Sequence, residues 1–144
     1  MGCDIHLHVE IKVNGKWHHY SHPHIMRNYQ VFCMMAGVRQ YGEDDEPKPI
    51  SPPRGLPNDA TFTTQFDSDH WDTDGHSHSW LTDAEAGRVQ EWYEERFKPK
   101  VSEGPLFGYL FGNYIDSYLK YAEDGKSLFE MGYECARVCF WFDN

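Results

Sequence analysis

Residues 2–12, GCDIHLHVEIK, alternate apolar and polar positions with a period of two, the pattern of a half-buried strand. Cys3, Ile5, Leu7, Val9 and Ile11 fall on one face; Asp4, His6, His8, Glu10 and Lys12 fall on the other. Asn14-Gly15 comes next, and a type I′ hairpin turn needs positive φ at both central residues, which this pair supplies. A second strand, Lys16 to about Tyr20, is therefore predicted to run back antiparallel. Its register sets Val13 opposite Lys16, Lys12 opposite Trp17, Ile11 opposite His18 and Glu10 opposite His19. Opposed residues share a face, so His19 joins the polar row and His18 the apolar one.

Three helices are predicted after the hairpin. The first runs from an Asn28 cap to Ala36 with Gly37 as its stop, burying Tyr29, Phe32, Cys33 and Ala36. The second is opened by a capping box, Thr82 with Glu85, with Leu81 stapled onto Ala86; Val89, Trp92, Tyr93 and Phe97 trace its apolar side as far as Pro99. The third starts near Pro105, carries a stripe from Phe107 to Ala122 beside glycines at 104, 108 and 112, and ends at Gly125. Residues 38–60 read as a loop, with an acidic run Glu43–Glu46 followed by five prolines. A short strand is expected near Thr61–Phe66, then an Asp- and His-rich segment ending in HSHSW, and a closing strand over Tyr133–Phe142. These elements predict a single α+β domain over residues 1–144: an antiparallel sheet, made of the N-terminal hairpin and the C-terminal strand, with about three helices packed on one face.

Composition narrows the possible partners. Thirteen Lys and Arg against 23 Asp and Glu leave a formal net charge of −10, which argues against binding polymeric nucleic acid or anionic lipid. An aromatic share of 16% argues for a packed core over an acidic disordered tail. No run reaches the roughly 20 apolar residues of a membrane helix, and no signal segment opens the chain, so a cytoplasmic location is expected. Cys3, Cys33, Cys135 and Cys139 form no Cys-x-x-Cys pair and read as reduced thiols, and His6 stands where a myristoylation signal needs Ser or Thr.

Nine histidines in so short a chain point towards chemistry. Same-face neighbours on a strand lie about 6.5–7 Å apart, so adjacent side chains of the Asp4, His6, His8, Glu10 and His19 row can converge on one ion. A second group, Asp72, Asp74, His76 and His78, repeats the His-x-His spacing; on an extended segment His76 and His78 face the same side and can complete the first cluster. Neutral imidazoles mixed with carboxylates suit a divalent transition metal, namely Zn, Mn, Fe or Ni. The expected ion ligands are Asp4, His6, His76 and His78, with Glu10 or His19 as general base. Arg27, Asn28 and Tyr29 at a helix start and Arg54 in the proline-rich loop are expected to hold a small phosphate-bearing ligand, with Trp80 or Tyr29 stacking on a base. Both arginines can equally pair with the abundant carboxylates. The dense stretch HHYSHPH (His18, His19, His22, His24) reads as surface histidines near a turn, with only His19 placed by geometry.

Asp4-Ile5-His6-Leu7-His8 resembles the D-x-H-x-H strand of metal-dependent phosphoesterases of the PHP type and of amidohydrolases, in which the HxH pair binds metal; a chain of 144 residues is too short for their barrel. MGCDIH at the start, RNY at 27–29, PRGLP at 53–57, HSHSWL at 76–81 and the closing FWFDN are together similar to a group of small bacteriophage and bacterial proteins. That resemblance implies a viral or bacterial origin, the host cytoplasm where phage-encoded, and attention to Asp4, His6, Arg27, Asn28, Arg54, His76, His78 and Asp143. Position 8 is commonly aromatic in that group, which makes His8 the less safe ligand. Residues and resemblance leave three readings open. The first is a metal-dependent hydrolase, a phosphoesterase acting on a nucleotide-like substrate. The second is a non-catalytic phage counter-defence protein that sequesters a host signalling nucleotide or defence protein. The third is a structural interaction module. An exposed sheet edge would also admit a homodimer.

Overall fold

The computed structural model describes residues 2–97, 130 and 132–144. Among these, four strands form one antiparallel sheet: β1 (Asp4–Val13), β2 (Lys16–Ser21), β3 (Gly75–Thr82) and β4 (Tyr133–Asp143), in the order β2-β1-β4-β3. Three helices accompany it, α1 (Tyr29–Ala36), α2 (Phe62–Trp71) and α3 (Asp83–Phe97), which makes the domain α+β. The helix expected from Pro105 lies outside the described residues.

The period-two pattern does what it predicts. Ile5, Leu7, Val9 and Ile11 of β1 form one apolar sheet surface with Ala136, Val138, Phe140 and Phe142 of β4. Val31, Phe32, Met35 and Ala36 of α1 and Ala86 and Val89 of α3 close over it as one core. The hairpin register is the expected one from Val13↔Lys16 to Glu10↔His19, and Asn14 (φ 49°) and Gly15 (φ 78°) make the turn. All four cysteines are free thiols. No helix of the described residues is long and apolar enough to cross a membrane.

Helix ends follow their capping chemistry. Asn28 Oδ1 accepts the Val31 amide at 3.2 Å, and Gly37 closes α1 at φ 72°. At α3 the Thr82 amide donates to Glu85 and the Glu85 amide to the Thr82 hydroxyl, the reciprocal capping box. Glu85 also takes both terminal nitrogens of Arg54 at 2.7 Å, which pins the 51–54 segment to the end of β3. Those hydrogen bonds, against the opposing effect of burial, hold its carboxyl at about 2 instead of 4.5. Replacing Glu85 with Ala removes a cap and an ion pair together, and at neutral pH should cost about 1–3 kcal/mol, read from urea midpoints. A depressed folded-state pKa contributes stability above the unfolded value and loses it as the pH falls through the folded one. The gap between wild type and Glu85→Ala should therefore narrow as the pH falls from 4.5 towards about 2.

Two elements depart from expectation. β3, read only as an Asp- and His-rich segment, adds an edge strand beside β4. α2 packs on the polar face of the sheet instead of joining α1 and α3 on the apolar one. Thr61–Phe66, read as a strand from its Thr and Phe content, opens α2 instead. Glu10 supplies the reason. Its Oε2 accepts the Thr61 amide (2.8 Å), the Thr61 hydroxyl (2.6 Å) and the Thr64 hydroxyl (2.7 Å), so a buried carboxylate sits at the helix N-terminus, where the helix dipole favours it. From that anchor α2 lies along the polar face of β1, with Thr64 over Glu10, Asp67 over His8 and Trp71 over His6.

A histidine-rich candidate metal centre beneath α2

The polar face is centred on Trp141, which is fully buried. The rings of His6, His8 and His78 lie 5.8, 5.6 and 5.8 Å from it. Gly75 lets β3 approach this indole, since a Cβ there would stand 3.2 Å from Trp141 Cδ1 and 3.4 Å from His78 Nε2.

Two β-bulges decide which imidazoles reach this face. In β2 the pairing passes from Glu10↔His19 to Val9↔Ser21, which leaves Tyr20 as an extra residue. An unbroken ladder would set His22 opposite Leu7 on the apolar side. The bulge carries it to His8 instead, where the two rings stack at 4.1 Å. In β3 the pairing passes from His76↔Phe142 to Ser79↔Phe140, again with one extra residue, and Ser77 takes φ 55°. His76 and His78 are thereby sent to opposite faces, contrary to the same-side expectation. His76 stacks on Phe142 at 6.2 Å and contacts Asn144 Oδ1 at 3.2 Å, whereas His78 stacks on Trp141.

Among the described residues, one group of three brings its ligand atoms within 4.8 Å of one another: His8, His22 and Asp67. Asp67 Oδ2 lies 2.7 Å from His8 Nε2 and 3.9 Å from His22 Nε2. In a tetrahedral site with bonds near 2.1 Å, donor atoms stand about 3.4 Å apart, within reach of small side-chain rotations here. His8 Nδ1 meets His19 Nε2 at 2.9 Å, the outer hydrogen bond that fixes the tautomer and ring plane of a metal-binding imidazole. Burial lowers the pKa of His8, His19 and His22, against the raising influence of Asp67 on all three, so their nitrogens are neutral and able to ligate at pH 7. His8 is buried, while the side chains of His22 and Asp67 are 39% and 26% exposed, so the centre is closed beneath and open towards solvent.

The ligand set expected from the sequence is not assembled. Asp4 is held by Arg27 through two 3.0 Å hydrogen bonds, His6 Nε2 lies 2.5 Å from Asp143 Oδ2, and His76 is on the far face. Of the four, His6 and His78 share the Trp141 surface. Glu10 cannot serve as a general base. Burial acts to raise its carboxyl, but Thr61, Thr64 and Arg137 outweigh that and keep it ionised in a closed network. His19 is on the expected face but engaged with His8. The expected phosphate groups are largely committed elsewhere. Arg27 pairs with Asp4, Asn28 caps α1, the Tyr29 hydroxyl accepts the Cys3 amide at 3.2 Å, and Arg54 pairs with Glu85. Trp80 keeps an accessible setting beside Arg54.

Sequence reasoning missed His22 and Asp67. The density of HHYSHPH was the available signal for His22; Asp67 sat behind a segment read as a strand. No family model, curated protein or solved structure matches the chain.

Proposed function

We propose that this protein is a metal-dependent hydrolase, a phosphoesterase acting on a nucleotide-like substrate, with its divalent transition metal held by His8, His22 and Asp67. The observation that carries this reading is the convergence of two neutral imidazoles and a carboxylate, from β1, the residue following β2, and α2, within 4.8 Å. Two nitrogens and one oxygen suit Zn, Mn, Fe or Ni better than Ca or Mg, and three protein ligands leave a coordination position open. A bound ion of this kind lowers the pKa of a coordinated water towards neutrality and polarises a phosphoryl oxygen. The chain's own share is to orient His8 through His19, to keep the inner side of the centre dry against Trp141, and to add the attraction of a −10 protein for cations.

The test is hydrolysis of a panel of linear and cyclic nucleotides by protein stripped with chelator and then reloaded with Zn, Mn, Fe or Ni. Turnover should vanish on stripping and return with at least one ion. Full activity in chelator would remove the metal from the mechanism. Nucleotides returned intact under every ion would favour sequestration, the second reading. That reading draws on the outward aromatics of α2, Phe62 and Phe66, which are 81% and 65% exposed with rings 5.7 Å apart, a surface suited to a protein partner.

A further inference from the structure

A second feature of the polar face lies beyond the metal ligands. Between the 54–59 segment and the β3–β4 strands is a cleft of about 510 Å³, lined by Arg54, Leu56, Asn58, Asp59, Trp80 and Arg137. We infer that this cleft binds a nucleoside, base and sugar, and not a phosphate group. The inference rests on the hydrolase reading for what happens to the ligand, but not for where the nucleoside sits.

Position comes first. His8 and Trp80 both pair with Cys139, one from each side, so they belong to one row of the polar face. Two interstrand steps, about 10 Å, separate their backbones, with the fully buried Cys139 between them. The volume is within the range of pockets that enclose small organic ligands.

Charge then decides which part of a nucleotide belongs here. Two guanidiniums face the cleft, yet each is neutralised: Arg54 by Glu85, and Arg137 by Glu10 and Asp59. Two cations against three carboxylates give a phosphate nothing to gain, so the cleft is not the phosphate grip expected of Arg54. It suits a neutral, planar group rich in hydrogen-bond donors.

The stacking surface is already rigid. Arg54 Nε donates to Ser51 Oγ (3.1 Å), Nη1 to the Trp80 carbonyl (3.0 Å) and to Glu85 (2.7 Å), and Nη2 to Glu85 (2.7 Å). Those bonds fix Arg54 Cζ over the Trp80 ring, 4.9 Å from its centre. A planar base can stack on such a preorganised Arg–Trp surface. Asp59 stands at the rim, 66% exposed, and the hydrogen bond from Arg137 keeps its carboxyl ionised. Its outer lone pairs can accept from an exocyclic amino group or from sugar hydroxyls, and the Asn58 amide at the rim offers both donor and acceptor. Adenosine, guanosine and cytidine carry such an amino group; uridine does not.

Calorimetric titration of chelator-treated protein with adenosine, guanosine, cytidine, uridine, ribose and inorganic phosphate tests the inference without any metal. At least one amino-bearing nucleoside should bind with a submillimolar Kd, more tightly than uridine, ribose or phosphate. Trp80→Ala should weaken that binding by roughly tenfold or more, as expected for loss of one base stack, while Trp80→Phe should stay within about threefold. Asp59→Asn should weaken the amino-bearing nucleosides and narrow their advantage over uridine. Phosphate binding as tightly as nucleoside, affinity unmoved by Trp80→Ala, or no nucleoside binding at millimolar concentration would each overturn the inference. Nucleoside binding that persists in a protein without metal-dependent turnover would instead count against the hydrolase reading alone.

Discussion

Arg137→Met should be among the most destabilising single changes in this protein, costing about 3–5 kcal/mol and lowering the melting temperature by roughly 10–20 °C. The reason is the charge left behind. Glu10 is 0% exposed, and Arg137 reaches it with Nε at 2.8 Å and Nη2 at 2.7 Å while its own side chain is 7% exposed. The same guanidinium lies 3.8 Å over the Trp17 ring and holds Asp59 through Nη1. Removing it strands an ionised carboxylate that three hydroxyl and amide donors solvate but none neutralises. Glu10→Gln should be of similar severity, because an amide presents donors where Arg137 and the threonines also donate. The double variant Glu10→Met/Arg137→Met should lose less than the sum of its parts, since an apolar pair leaves no buried charge. Chemical denaturation of the three variants measures this. A loss below about 1 kcal/mol for Arg137→Met would mean that the pair is solvated, contrary to the geometry.

The parts of the fold governed by local rules were legible in the sequence. Alternation from Cys3 to Ile11 and the Asn14-Gly15 turn set the hairpin register, because a period of two and a two-residue loop leave no freedom. Asn28, Gly37 and the Thr82–Glu85 box marked helix ends through bonds confined to one turn. Long-range physics hid the rest. The Thr- and Phe-rich segment at 61–66 becomes helix because Glu10, 51 residues earlier, meets the Thr61 amide. That helix also has no apolar stripe to betray it, since it turns Thr64, Asp67 and Ser68 inward and Phe62 and Phe66 outward. The candidate centre was blurred for the same reason. Its carboxylate comes from that helix, and its second imidazole is delivered by a bulge at Tyr20 that alternation cannot foresee.

Glu10 consequently links stability to chemistry. By anchoring Thr61 and Thr64 it fixes how α2 lies on β1, and the same helix one turn further places Asp67 against His8. Variants at Glu10 or Arg137 should therefore weaken binding of added Zn²⁺ in proportion to their effect on α2, even though neither side chain belongs to the candidate centre.

The ligand assignment itself has a sharper test. An ion that binds only the folded protein, present at a hundredfold excess over its Kd, stabilises by about 2.7 kcal/mol, a rise of several degrees in melting temperature. Zn²⁺ or Co²⁺ should produce that rise in wild type. His22→Ala should abolish it with little cost to the metal-free protein, because His22 is partly exposed and outside the core. Asp67→Asn should reduce it sharply, and both variants should lose the visible absorption of bound Co²⁺. His8→Ala is less informative, since a side chain 2% exposed takes stability with it. The controls are the ligands suggested by sequence alone. Asp4→Asn and His76→Ala should keep the full metal-induced rise, because Asp4 is committed to Arg27 and His76 lies across the sheet beside Phe142. The opposite result, a shift kept in His22→Ala and lost in His76→Ala, would mean that the β3 bulge is absent in solution and that the two His-x-His pairs meet after all.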